Sequence, residues 1–482
     1  QGLDRGLPRG PRGRGDQRGR RVGVRAAREG GLRRQGDRRG HHRRSLRVGG
    51  ARALGEEVRR ARRRAADGPG GTGRSGAAGG DRARHPGLRR LLPGPRQAPQ
   101  HVSAPVTTHE VDVVLLGVGS GGELAASRLA RAGLEVAAVE SRLVGGECPF
   151  WGCTPSKLLI RSAHALAEAR VAARLSGRVE VVEPSLAPAA ARIRESGHDW
   201  HDDDHAGPLV DEGVLLVRGR GRLDGPGRVR VETEDGPVLL VGRRGVVLNT
   251  GTSPGVPPVD GLAGTPYWTN REAVHLEEVP RTVAVLGGGN IGAELTQVLA
   301  RMGTQVTLLE QGERILAGEE PEASAVVTQV FRDEGVDVRT GVSVDRVAHE
   351  AGRFLLDVDG GRLEVERLLV AAGRSPNIGD VGLETVGLDP EADAVEVDER
   401  CRAGERLWAV GDITGRGPYT HVSLYQGEIV VRDLLGEDGP WGEYHAVSRV
   451  TYTDPEVGSV GLTEARAREE GIEVAVGTAE IG

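Results

Sequence analysis

Two thiols and one ammonium stand close together at Cys148, Cys153 and Lys157, inside the stretch Gly145-Gly146-Glu147-Cys148-Pro149-Phe150-Trp151-Gly152-Cys153-Thr154-Pro155-Ser156-Lys157. A thiol pair can carry an electron pair by closing and opening a disulfide, and a nearby cation favours the thiolate. The spacing sets a condition. In an unbroken α-helix, residues five apart have Cα atoms about 8.6 Å apart, whereas a disulfide tolerates at most roughly 7 Å. A bond between 148 and 153 therefore needs a distorted turn, and Pro149 and Gly152 lie between them to distort it. Pro155 suits the first turn of a helix that follows. Lys157 is the only lysine in the chain, every other fixed cation being arginine, which points to an ammonium wanted at this place. Spacing alone leaves two readings open: a redox pair, or two unrelated buried thiols beside a chance lysine.

Two further patterns could hold phosphate. The β-type run Val111–Leu116 leads into Gly117-Val118-Gly119-Ser120-Gly121-Gly122, then a helical stretch to about Ala132, then a second run, Glu135–Val139, ending in Glu140. The same order recurs at Thr282–Leu286, Gly287-Gly288-Gly289-Asn290-Ile291-Gly292, a helix Ala293–Met302, and a strand Gln305–Leu309 ending in Glu310. In each copy the glycines permit a tight turn and close backbone approach to a pyrophosphate, which the free N–H groups of the helix start would hold. Glu140 and Glu310 then stand where an acid can accept from ribose hydroxyls. Glu310 favours NAD over NADP by repelling a 2′-phosphate, although Arg314 nearby keeps NADP in view. Two copies in full strand–turn–helix–strand context weigh far more than one.

The elements around these motifs read as α/β. Leu158–Leu175 reads as a helix, Val214–Leu248 as several short strands, and Val246–Pro254 as a buried strand ending in a turn at Thr250-Gly251. Leu368–Asn377, including Gly373, is another strand and turn. Leu407–Asp412 is a strand ending in Gly411-Asp412, and Thr420-His421 opens a helix to about Leu435. Arg449–Gly461 and Glu473–Val476 read as strands around a helix Glu464–Glu470. His198, His201 and His205 could share a helix face, but a solvated polar segment is the reading and no metal site is expected.

Composition bounds the rest. No apolar run is long enough to span a bilayer, and no signal-peptide core opens the chain. Three cysteines in 482 residues do not make a secreted disulfide framework, so a cytoplasmic protein is expected. The net charge of -5 hides an asymmetry: residues 1–100 carry 28 Arg against 8 acidic residues, the remainder 36 basic against 61 acidic. Residues 1–105 are Arg/Gly/Pro-rich without sustained periodicity, so disorder is expected there. A nucleic-acid arm and a targeting segment compete with a third reading, GC-rich DNA translated beyond a true start. The chain begins with Gln and its only Met is Met302; the third reading is preferred, and nucleic acid is not an expected partner.

Taken together, the two glycine motifs, the dithiol between them and the Gly411-Asp412 strand resemble the class I pyridine nucleotide-disulphide oxidoreductases, which include dihydrolipoamide dehydrogenase, glutathione reductase and mercuric reductase. The resemblance covers roughly Val106 to the end. It implies two Rossmann-like dinucleotide-binding domains, for FAD and NAD, plus the start of an α+β interface domain. The boundaries expected are 1–105 for the arm, 106–265 and 374–442 for the two parts of the FAD domain, 266–373 for the NAD domain and 443–482 for the interface domain.

The resemblance also implies roles. Gly117, Gly119, Ser120, Gly121, Gly122, Glu140, Gly146, Lys157, Thr250, Gly251, Gly411, Asp412 and His421 would hold FAD. Gly287, Gly289, Asn290, Ile291, Gly292, Glu310 and Gly373 would hold NAD. Cys148 and Cys153 would form the redox disulfide, with Cys153 against the flavin and Cys148 exchanging with a small dithiol or disulfide substrate. Lys157 would pair with Glu294 near the flavin. A dihydrolipoamide-like substrate is the first expectation; a mercuric reductase-like enzyme and an inactive nucleotide-binding remnant are the rivals. The chain departs from the family at Pro149-Phe150-Trp151, where small residues are usual. No His follows His445, so a truncated C-terminus lacking the family's His–Glu acid–base pair is expected, with a homodimer only in the complete form. Cys401 reads as structural.

Overall fold

The structure is a computed structural model; it describes residues 106–177 and 184–480. The expectations for residues 1–105 lie outside the described residues.

Strand β1, Thr107–Leu116, is the axis of the first sheet. Its end, Val113–Leu116, is buried on both faces, as continuous Val/Leu runs are in parallel sheets with both faces covered. It pairs in parallel with β2, Val136–Glu140, at Val113↔Val136, and with β3, Gly236–Leu248, at Leu115↔Val247. Leu215–Arg218 extends the sheet beyond β2, and Leu407–Ala409 extends it beyond β3. The last strand returns to this sheet after an excursion of more than a hundred residues.

That excursion contains a second, smaller parallel sheet. Its central strand β4, Thr282–Leu286, pairs with β5, Gln305–Glu310, and with β6, Arg367–Val370. Asp337–Thr340 lies beyond β5. An antiparallel sheet of Val344–Glu350, Arg353–Val358 and Gly361–Val365 packs beside it, burying Phe354 and Leu356.

The two glycine turns repeat one construction. Gly117 (φ +91°) and Gly287 (φ +107°) are left-handed, and a Cβ on either would lie 2.4 Å from a backbone oxygen, of Asn249 and Ala371 respectively. A Cβ on the third glycine would meet the oxygen of the first, at 2.6 Å for Gly122 and 1.9 Å for Gly292. The helices that follow run Ser120–Arg131 and Asn290–Arg301. No other residue permits a helix start to close so tightly onto its strand.

Two element expectations need correction. The helix read as Leu158–Leu175 begins at Cys153, because Gly152 interrupts the backbone and lets the helix restart there. The expected strand Glu473–Val476 is irregular and exposed. The pair it would join, Ser448–Thr451 with Val457–Val460, offers it no ladder among the described residues, and an isolated strand leaves its peptide groups unpaired.

Candidate active site

The cysteine stretch folds as two helices separated by a break. Glu147–Phe150 makes one turn, Trp151 and Gly152 interrupt it, and Cys153 starts the long helix to Leu175. The Trp151 and Gly152 N–H groups both fold back onto the Glu147 carbonyl. The break places both thiols on the lining of one cleft, close enough for each to bias the other's ionisation. Both cysteines are free thiols. The hydrogen bond from Cys148 comes first among the causes that lower the Cys153 pKa to about 6, against opposing burial, with Thr420 and the charge of Lys157 adding to it. Cys148, as donor and partly buried, moves well above the ordinary thiol range. Thr420 Oγ1 lies 3.5 Å from Cys153 Sγ.

Lys157 projects from the same helix one turn on. Its Nζ donates to both carboxylate oxygens of Glu294, at 2.8 and 3.1 Å, and sits 4.5 Å from the centre of the Tyr452 ring. Glu294, buried on the helix Asn290–Arg301, also accepts the Tyr452 N–H at 2.9 Å. Replacing Lys157 by Met removes one of the groups that depress the Cys153 pKa. The pH at which Cys153 alkylation reaches half its maximal rate is therefore expected to rise; an unchanged half-point would exclude Lys157 from that role.

A cleft of about 730 Å³ runs from the first glycine turn to the thiols. Gly117, Gly119, Ser120, Glu140, Gly146, Cys148, Cys153, Lys157, Thr250, Gly251, Asn290, Ile291, Glu294, Gly411 and Asp412 line it. Gly121 and Gly122 do not. A Cβ on Gly121 would lie 2.4 Å from Ser423 Oγ, so this glycine lets the helices Ser120–Arg131 and Thr420–Leu435 touch. His421 does not line the cleft either; its ring is exposed and stacked 5.5 Å from Tyr419. From that helix start Tyr419, Thr420 and Ser423 line the cleft, and Thr420 is the one in contact with Cys153.

Gly287, Gly289, Gly292, Glu310 and Gly373 lie at the carboxyl edge of the second sheet, outside the cleft lining. Glu140 and Glu310 are held alike. Each takes an N–H of its glycine turn, from Val118 at 2.9 Å and Gly288 at 2.6 Å, and one two residues on, from Arg142 and Gly312, both at 2.7 Å. Burial pushes the Glu140 pKa up against those hydrogen bonds. His198 contacts Asp204, His205 contacts Glu123, and His201 folds onto the carbonyls of His198 and Asp199; the three rings do not converge.

The chain's residues 111–427 match the family model described as pyridine nucleotide-disulphide oxidoreductase, and residues 447–482 match that family's dimerisation domain. The chain belongs to the pyridine nucleotide-disulphide oxidoreductase family. Enzymes of this family use FAD and NAD(P)H. The chain is 32% identical to a mercuric reductase of Acidithiobacillus ferrooxidans over 76% of its own length and 67% of that protein's. It is 34% identical to a dihydrolipoyl dehydrogenase of Chlorobaculum tepidum over 77% of its length and 80% of that protein's. Among solved structures it resembles the HOCl-induced flavoprotein disulfide reductase RclA of Escherichia coli, with TM-score 0.67 and 28% identity over 75% of this chain and 80% of that one. No helix among the described residues is long and apolar enough to cross a membrane.

Several residues of this oxidoreductase's cleft escaped the sequence. Asn249 Oδ1 accepts the Gly122 N–H at 2.9 Å and its Nδ2 donates to the Val410 carbonyl, joining the glycine turn to the Gly411 turn. Glu147 forms an ion pair with Arg271, whose Nε lies 2.9 Å away, and faces Arg374 at 3.6 Å. Its Oε2, the atom nearest Arg374, is buried and has no hydrogen-bond partner among the described residues. Arg374 in turn donates to Thr252 Oγ1 at 2.6 Å, and that hydroxyl donates to Asp412 at 2.6 Å. Only the acid at 147, adjoining Cys148, offered a signal in the sequence.

Proposed function

We propose that this chain carries an NADH-dependent flavoprotein disulfide oxidoreductase activity of the dihydrolipoamide dehydrogenase type, with Cys148–Cys153 as its redox pair. The observation that carries the proposal is the placement of both cysteines, across a helix break, on the lining of one cleft, with the Lys157–Glu294 pair beside them. Residues 106–265 with 374–442 form the FAD-holding part, and 266–373 the NAD-holding part.

The cleft fits FAD on steric and polar grounds. Side chains at Gly117 and Gly122 would close the turn that must approach a pyrophosphate. Gly117, Gly119, Ser120 and Glu140 would hold the adenosine and pyrophosphate portions, Asp412 the ribityl hydroxyls, and the helix start at Thr420 the electron-rich edge of the ring. Bound FAD supplies the hydride-accepting group that connects nicotinamide to the disulfide.

The chain's own residues perform the thiol chemistry. Cys153, the lower-pKa sulfur, accepts the Cys148 proton as Cys148 attacks a substrate disulfide sulfur and expels a thiolate. Cys153 gives that proton to the departing thiolate and then attacks Cys148. The Cys148–Cys153 disulfide closes and a second thiolate leaves, to be protonated from water. The substrate disulfide is reduced and the dithiol oxidised by one electron pair. Lys157 holds Cys153 as thiolate, and buried Glu294 fixes the ammonium in place. In the dehydrogenase direction every step reverses. A reducing compartment such as the cytoplasm suits such a pair, and residues 447–482 would supply part of a homodimer contact.

Glu310 stands where a ribose would lie, and Arg314 is occupied by the Leu316 and Ala317 carbonyls at 3.0 and 2.9 Å. Arg314 therefore offers no free guanidinium to a 2′-phosphate. The kcat/KM for NADH in diaphorase turnover is expected to exceed that for NADPH by about tenfold or more; parity or reversal would contradict this.

The mercuric reductases among the relatives favour a second reading, in which the paired thiols take a soft metal ion. NADH oxidation supported by lipoamide decides for the first reading, and oxidation supported only by Hg(II) with excess thiol decides for the second.

A further inference from the structure

The break between the cysteines leaves a problem that residues far along the chain solve. A helix of one turn, Glu147–Phe150, ends with carbonyls that have no partner of their own. Two of them receive side-chain donors. Trp200 Nε1 donates to the Phe150 carbonyl at 3.2 Å, and Asn270 Nδ2 donates to the Trp151 carbonyl at 2.8 Å. Phe150 itself is buried, packed edge-on against His205.

Both donors are held by their own surroundings. Asn270 opens a short helix whose N-cap, Thr269, forms a capping box with Glu272, and it is buried. Trp200 ends a run of three residues with positive φ, His198 (46°), Asp199 (52°) and Trp200 (60°). The left-handed region is unfavourable for such residues and persists only where surrounding contacts impose it. Here the imposed contacts include the hydrogen bond to Phe150 and a stack on His275, with ring centres 3.8 Å apart. His275 lies five residues after Asn270, so both donors are braced by one segment.

We infer that Trp200 and Asn270 are positioning residues for the dithiol, holding the helix break open so that Cys148 and Cys153 stay within bonding reach. The inference rests on the proposed redox role of that pair. If the break closed into a continuous helix, the Cα atoms would lie about 8.6 Å apart, beyond a disulfide's range. The break and both donor contacts are present with the thiols free. Without a donor the free-thiol segment can relax out of bonding reach, whereas the disulfide cannot, so losing either donor should favour the dithiol.

The test is a thiol–disulfide equilibrium on the purified full chain. Protein is incubated in dithiothreitol redox buffers, quenched with an alkylating agent, and the Cys148–Cys153 disulfide is quantified by mass spectrometry. Trp200→Phe keeps the stack on His275 and removes the N–H. It is expected to shift the equilibrium towards dithiol by about threefold to tenfold, the worth of one hydrogen bond. Asn270→Ala should shift it in the same direction, and Asn270→Ser, which retains a donor, should recover part of the loss. NADH affinity, which a general loosening of the fold would weaken, should stay unchanged. If Trp200→Phe does not fold, the Asn270 pair decides alone. Equal equilibrium constants in wild type and variants would overturn the inference while leaving the redox pair intact. Failure of the wild type to form the disulfide at all would instead overturn the underlying functional reading.

Discussion

Cys153→Ser is expected to abolish lipoamide-dependent turnover, by about a thousandfold or more, while leaving bound flavin and NADH–dye activity in place. A nucleophile that forms a covalent intermediate has no substitute of similar leaving-group ability in serine, and members of such a unit fail together. Cys148→Ser should lose disulfide turnover to a similar extent. The two variants should differ in the remaining sulfur. In the wild type the Cys153 pKa is lowered to about 6 by the hydrogen bond from Cys148. Cys153 is therefore a thiolate above about pH 6 and loses that form as pH falls through 6. Cys148→Ala removes the donor, so the alkylation half-point of Cys153 should climb towards the ordinary thiol range near about 8.5. In Cys153→Ala, Cys148 loses the acceptor that holds its proton, and its half-point should fall towards the same range. Half-points that move the other way would reverse the assignment of the two sulfurs.

Gly292→Ala should remove NADH binding selectively. A Cβ there would lie 1.9 Å from the Gly287 carbonyl oxygen, a backbone atom that cannot swing aside. Overpacking of that kind costs about 1–3 kcal/mol even where neighbours can adjust, so NADH should bind roughly tenfold or more weakly. The same change at Gly122, 2.6 Å from the Gly117 oxygen, should lower flavin content instead and leave Gly292 undisturbed. Equilibrium dialysis of NADH and the flavin-to-protein absorbance ratio distinguish the two. Loss of flavin from Gly292→Ala with NADH binding intact would invert the assignment of the glycine turns.

What could be read from the sequence follows from the range of each cause. The glycine turns were legible because their steric demand is local: Gly117 and Gly122, or Gly287 and Gly292, meet within one turn of chain. The need for a break between Cys148 and Cys153 was legible for the same reason, since helix geometry alone forbids the bond. The residues that maintain the break were not legible. Trp200 and Asn270 lie 50 and 119 positions from the carbonyls they satisfy, and neither type is rare on a surface. The Glu147–Arg271–Arg374 group was hidden likewise, its partners lying 124 positions apart in a chain rich in arginine. His421 was a near miss: the helix start was placed correctly, but Thr420, one residue earlier, is the side chain that meets Cys153. The strand expected at Glu473–Val476 failed because its composition suits a strand, while strand formation depends on a neighbour that local sequence does not reveal.

The proposed function requires that Cys148 and Cys153 form a redox-active disulfide in electronic contact with bound flavin. Anaerobic titration of the purified, oxidised protein with dithionite, followed by flavin absorbance, counts the electrons it takes up. Wild type is expected to consume one electron pair beyond the pair taken by the flavin, and Cys153→Ser is not. Equal consumption by both proteins would refute the disulfide's role.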